Sequence, residues 1–559
     1  FLRAVTLGGN VALDSAGGDI TFSSTLDGTK TLSLTAGAGD IAFSDVVGGT
    51  SALGAVTIVS AAGVTASDAF SAASLVQSAG TGTTQFVGTV TTTAAAGVAI
   101  TNSAIDVDAL ITTGAGTIAL TGAINLGANL TTTNKNITLD GAVTLSAANT
   151  ISTDTGAGTI TFTGALISDG TTRDLTLTAG TGNIDFDAAV GATALGAVLI
   201  NSAGDVTADS TFTAASLVQS AGSGTTLFAD VVTTTAAAGV DITAANITVN
   251  GTVNASTAGI VNFVNTGTLT IAAAVTAVST FDQSGGGTVA LSANVSTTNA
   301  AITFADAVAL GASSTVTIDS GSGGGDVTFS SAITGDSAGG ETLTITAGTG
   351  EASLAAVGAS GTELGAISIT SDTIALGGAV YGNSTLLLQP TTASTTIGIS
   401  GGPGDYALSG VEMGRLKDGF SSITIGRSDG SGTVTIWVTS LNDSTTIRAP
   451  SGTVDVSGSL SGAGTASITL EGSTIDLGQG VSTNNGNITL TGAVDVTNGI
   501  TVDTSTGGNA ISFSSTINGA QDLTLSAGTG TTSVSGIIGG STALSSLDRK
   551  STRLNSSHQ

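Results

Sequence analysis

A chain of 559 residues with 82 Gly, 3% aromatic residues, 3 Pro and no Cys cannot be a row of sandwich domains built on large aromatic cores, nor a scaffold held by disulfides or thiolate metal sites. The formal charge of -28, carried mainly by Asp, excludes a nucleic-acid-binding surface, and no apolar run reaches the 18 residues of a membrane-spanning helix. Disorder is excluded too, because the 40% of hydrophobic residues fall at strand period rather than at random.

In chain order, the first element begins at Leu32 with LSLTAGAGDIAFSDVVGGTSALGAVTI, and the same pattern returns from Leu175, Leu343 and Leu523. Within each copy apolar residues alternate with Thr, Ser or Asp, as at Leu175, Leu177, Ile184 and Phe186, and Gly-containing turns separate the runs. This is strand, turn, strand, and such a unit buries its apolar face only against further units.

A second unit precedes each copy, with an Asp eight or ten residues before a Phe: Asp14 and Phe22, Asp154 and Phe162, Asp319 and Phe329, Asp503 and Phe513. The Phe is expected inside. The Asp is expected to form a turn, since one carboxylate per unit supplies far fewer than the six or more oxygens of a Ca²⁺ site. A third unit, TTTNKNITLDGAVTL from Thr131, recurs from Ser296 and Ser482, and residues 72–98 and 214–240 agree at 22 of 27 positions.

The fold expected is all-β, a parallel β-helix (β-solenoid) of stacked coils of ~20–25 residues, with about two strands per coil and roughly 22–27 coils in all. The solenoid is expected over 1–380 and 451–547. The segment 381–450 reads as an irregular insertion or a set of interrupted coils. It holds both Tyr, the single Trp and Met, all three Pro and four of the eight basic residues that precede position 548. A helical turn is expected near Glu412 to Lys417, followed by two strands. On a rod of Ala, Thr and Ser, binding energy would gather where aromatic and Arg side chains gather, so Tyr381, Tyr406, Arg415, Lys417, Arg427, Trp437 and Arg448 are the candidate recognition surface.

The last stretch, 548–559, departs from the composition before it and resembles one translated frame of a sequencing adapter. It is expected to be non-native, and its His558 carries no functional argument. With no leader after Phe1, the chain reads as an internal piece of something longer.

No catalytic constellation is legible. The pairs Asp106/Asp108 and Asp185/Asp187 read as solvated strand faces. GSGGGD from Gly321 lacks the Lys-Ser/Thr of a phosphate loop, and GGPGDYAL from Gly401 is one residue short of a calcium nonapeptide and occurs once. No cofactor is expected, Ca²⁺ being the one metal considered.

The strand repeats, and above all Leu416 to Leu470 with LKDGFSSITIGRSDGSGTVTI and IRAPSGTVDVSGSLSGAGTASITL, resemble the filamentous-haemagglutinin-like, repeat-rich exoproteins of Gram-negative bacteria. The resemblance implies a right-handed coil, export through an outer-membrane secretion partner, a secreted or cell-surface location, and adhesion to glycans or proteins of a host, a matrix or neighbouring cells. It carries over no catalytic residue. Two other classes stay open: a polysaccharide-active parallel β-helix enzyme, which would need clustered carboxylates in a groove, and a calcium-stiffened surface-layer component.

Overall fold

The computed structural model describes residues 1–335 and 339–551. They fall into two compact units, divided between Val278 and Ser279, each a parallel β-solenoid, with about 26 turns in the two together. The end of the chain from 552, including His558, lies outside the described residues.

The coils stack in three ladders and contain two or three strands each: where a single bulged strand such as Val98–Val107 or Ile118–Leu126 serves two ladders, the coil has the two expected, and elsewhere it has three. In the first unit, one stack runs through Val11–Asp14, Leu32–Thr35 and Leu53–Ser60, where Val11, Leu32 and Val56 are register partners 21 and 24 residues apart. A second stack runs through Ile20–Phe22, Ile41–Phe43 and Val64–Ala66. A third joins Leu26, Val47 and Phe70, and continues through Val90, Ile111 and Leu130. Among the described residues the strands pair in parallel, so each coil lays its segments over those of the coil before. The strands themselves are short, many of three residues.

The alternation read from the sequence sets which side chains enter. Leu175, Leu177, Ile184 and Phe186 are all buried, as are the four Phe of the Asp-to-Phe repeat, Phe22, Phe162, Phe329 and Phe513. Because register places like residues above one another, rings stack between coils: Phe22 on Phe43 at 5.5 Å, Phe162 on Phe186 at 5.2 Å and Phe304 on Phe329 at 4.8 Å between centroids. Such pairs add to simple area burial.

The Ala-Gly-x-Gly in each copy of the main pattern encodes a corner. Its Ala (Ala36, Ala179, Ala347 and Ala527) is wholly buried. The first Gly takes a left-handed conformation in every copy, with φ of 61°, 61°, 55° and 55° at Gly37, Gly180, Gly348 and Gly528. The second lies against the neighbouring coil; a Cβ on Gly182 would stand 2.1 Å from the Gly158 carbonyl oxygen. Conformation therefore requires the first glycine and stacking the second.

The turn-forming reading of the Asp-to-Phe repeat holds for Asp14, Asp319 and Asp503, whose carboxylates accept from the amides of Ala16, Gly321 and Ser505 at 2.7–2.8 Å. Asp154 is the exception. Ser152 makes the equivalent bond, to the Asp154 amide at 3.1 Å, and Asp154 itself occupies the left-handed position with φ 69°.

Sequence repeat and structural coil are out of step. Leu32 belongs to the stack of Val11 and Val56, whereas Leu175 pairs with Asn149 and Val198, in the stack that carries Leu130 and Ile151. In the second unit, Leu343 pairs with Val316 and Ile367, while Leu523 lies in a separate six-stranded sheet and pairs with Ile500. A duplicated block fits either face because all it must preserve is the in-out alternation. The last described strand, Ser546–Ser551, stacks on Asp522–Gly528 and so continues past position 548.

Candidate functional site

The segment 381–450 is built into the stack. Thr385–Gln389 pairs with the coil before it and with Ser422–Ile425 after it, and Ile397–Ile399 pairs with Val434–Ile436. Its irregularity is a single long coil: Leu386 and Ile423 are register partners 37 residues apart.

The extra length doubles back. After Ile397–Ile399 the chain turns within six residues and lays Tyr406–Leu408 parallel beside the same strand, Tyr406 against Ile397. A parallel pair ordinarily needs a dozen or more connecting residues. Here the turn is drawn tight against the strand: a Cβ on Gly398 would meet the Gly402 carbonyl at 2.0 Å, and one on Gly404 the Gly398 nitrogen at 2.2 Å.

The helix Gly410–Met413 follows, the one helix among the described residues; it begins two residues before the turn expected near Glu412 to Lys417 and overlaps it at Glu412 and Met413. Ser409 caps it, and Glu412 closes the capping box by accepting from the Ser409 amide at 2.9 Å. The helix region then ties back to an earlier coil. Glu412 Oε1 accepts from the Leu376 amide at 3.0 Å, and an Arg415 guanidinium nitrogen donates to the Leu376 carbonyl. Leu416 forms a parallel bridge with Val380, so this irregular piece restores the stack it interrupts.

The seven candidate recognition residues do not form one surface. Tyr406 is a correction to the sequence reading: it is fully buried, pointing inward from a strand, and its hydroxyl has no hydrogen-bond partner. Burial above all, with the Glu412 charge adding, pushes that phenol well above its usual pKa. Tyr381 is half-buried, its backbone engaged with Val357 and Leu364.

The basic residues serve the fold. Arg415 bonds Leu376, and Lys417 donates to the Gly414 carbonyl at 2.9 Å. Arg427 grips Asp429 through two bonds at 2.7 and 2.9 Å and donates to the Thr391 carbonyl at 2.7 Å. Arg448 donates to the Gly426 carbonyl at 3.0 Å. The Arg427 bond, aided by the Arg448 charge, holds the Asp429 carboxyl below the usual carboxylate range.

Trp437 remains. It is 48% exposed, its neighbour Val438 is 72% exposed, and a Cβ on Gly401 would touch the edge of its ring at 3.7 Å. Trp437 thus stands beside the tight turn, the one large aromatic ring that the segment presents to solvent.

Carboxylates outside this segment are arranged along the stacks. Asp455, Asp476 and Asp495 are direct register partners in three successive coils. Burial, then the charges of Asp495 and Asp455, raises the Asp476 pKa. Asp185 is raised by burial first and by Asp187 second. Asp108 accepts from Gln85 at 2.9 Å. Among the described residues, no group of three or more His, Cys, Asp or Glu side chains is placed to hold a metal ion, and no helix is long and apolar enough to cross a membrane.

No family model, curated protein or solved structure matches the chain.

Proposed function

We propose that this chain is a stretch of a large secreted or cell-surface, adhesin-like protein of the filamentous-haemagglutinin type, serving as a stiff stalk that carries interaction surfaces in adhesion or biofilm. The supporting observation is the coil itself. Interior positions are filled mainly by Val, Ile, Leu, Phe and Ala, and within each unit most strands are laddered to neighbouring coils on both sides. Such a stack resists bending by its backbone bonds.

Recognition is display at Trp437 and Val438. An exposed indole beside glycines offers a flat apolar face with a polar edge, suited to the carbon face of a sugar or to an aromatic side chain. Many weak contacts along a stalk gain strength by simultaneous engagement. The partners are glycans or proteins of a host, a matrix or adjoining cells, and export runs through an outer-membrane partner.

Deleting 381–450 would remove core strands, so the test is a point substitution. Beads coated with the wild-type chain or with Trp437→Ala are offered to bacterial cells and to a glycan array. Loss of retention with unchanged circular dichroism is expected. Equal retention by both proteins overturns the recognition role.

A further inference from the structure

The turn that ends the coil after the long one carries a buried acid. Asp443 is 7% exposed. Its Oδ1 accepts from the Gly419 amide at 3.1 Å. Its Oδ2 is wholly buried and receives no donor. Asp418, from the preceding coil and adjacent to Gly419, brings a second carboxyl close enough for its charge to act on Asp443.

Two carboxylates cannot satisfy each other, because neither has a proton to give when ionised. The nearby cationic side chains are committed elsewhere, Lys417 to the Gly414 carbonyl and Arg415 to the Leu376 carbonyl. A cavity of about 10 Å³ opens beside Asp443, lined on its polar side by Ser440, Asn442 and Thr445. A shared proton needs no space, whereas this cavity admits one water-sized particle. The available donors are oxygens of carboxylate, amide and hydroxyl type, the set that hard divalent cations select.

We propose that Asp418 and Asp443 bind a hard divalent cation of the Ca²⁺ class, which clips the long coil to the next one. The site is independent of adhesion at Trp437. Burial, with the Asp418 charge adding, pushes the Asp443 carboxyl above its usual value.

The test is calorimetric titration of CaCl₂ into chelator-stripped full chain, with amide exchange at Gly419 and Phe420 as a local readout. One saturable site is expected in the wild type, with slower exchange at both amides on binding. Asp443→Asn and Asp418→Asn should each weaken binding at least tenfold, while Asp476→Asn leaves it unchanged. Should Asp443→Asn fail to fold, the exposed Asp418 carries the comparison. Absence of a saturable site overturns the proposal, and so does a site untouched by both substitutions. Protection that grows as pH falls, with no response to Ca²⁺, overturns it in favour of a shared proton, and unresponsive protection at every pH in favour of bound water.

Discussion

Asn102 and Ala244 occupy the same place in two copies of one duplicated block, and only the first completes a buried polar chain. Asn102 donates to Thr84 Oγ1 at 2.9 Å, and Thr84 donates to Gln77 Oε1 at 2.6 Å. In the second copy Thr226 donates to Gln219 Oε1 at 2.7 Å, but Gln219 Nε2 is left buried without a partner. The space around it is lined by Phe186, Phe212 and Phe228 and has no room for a water molecule.

An orphaned buried amide costs about 1–3 kcal/mol, whereas replacing both members of a pair by apolar groups of like shape can be neutral or better. Gln219→Met with Thr226→Val should therefore stabilise the first unit. Asn102→Ala should destabilise it by about 1 kcal/mol. Thermal and urea unfolding of the full chain would check both, and a loss of stability in the double variant would refute the argument.

Much of this was readable from residues alone. The alternation at Leu175, Leu177, Ile184 and Phe186 places all four inside as expected, and the repeated Ala-Gly-x-Gly marks a corner. The third strand of the coils that have one was not readable. ITFTGALIS looks like one alternating run, yet the chain breaks it into Ile160–Phe162 and Leu166–Ser168 on different stacks. Tyr406 was misplaced because it was grouped with the aromatic and Arg side chains gathered in 381–450, whereas here the glycines around it serve to fold an extra strand inward. Asp418 and Asp443 are 25 residues apart, a separation with no motif attached; only coil length brings them together.

Gly180 tests the corner. Its φ of 61° costs a residue with a Cβ about 1–2 kcal/mol, and the new atom would stand 2.2 Å from the Thr155 carbonyl carbon. Gly180→Ala is expected to lose at least about 2 kcal/mol. Gly9, where an added Cβ meets nothing within 4 Å and φ is not left-handed, should accept Ala with no loss or a gain of up to ~1 kcal/mol. Denaturant midpoints compare them directly, and equal midpoints would remove the conformational argument.

The ladder of Asp455, Asp476 and Asp495 sets like charges directly opposite across coils, which destabilises. Since the folded pKa of Asp476 is raised, its contribution to stability is fully present below the unfolded carboxylate pKa, and is lost as pH rises through the folded value. Asp476→Asn should accordingly stabilise the chain at pH 7 and low salt by up to about 1 kcal/mol. The gain should shrink in high salt and vanish near pH 3. Urea unfolding on a pH and salt grid reads this, and a variant less stable at pH 7 contradicts it.

Glu412 and Arg415 together hold the two backbone groups of Leu376 that face the irregular coil. The carboxylate also caps the helix through the Ser409 amide and hydroxyl, at 2.9 and 2.7 Å. Glu412→Ala removes the cap and leaves the Leu376 amide without its acceptor, a combined cost of about 2 kcal/mol. Arg415→Met keeps most of the side-chain volume and removes only the bond to the carbonyl, costing about 1 kcal/mol. Both effects should be local, because in a solenoid each coil contacts its neighbours alone. Amide exchange at Leu376, Val380 and Lys417 should accelerate in Glu412→Ala while amides of the Phe1–Val278 unit stay unchanged. Acceleration spread evenly along the chain would mean that the helix supports the whole solenoid rather than one coil of it.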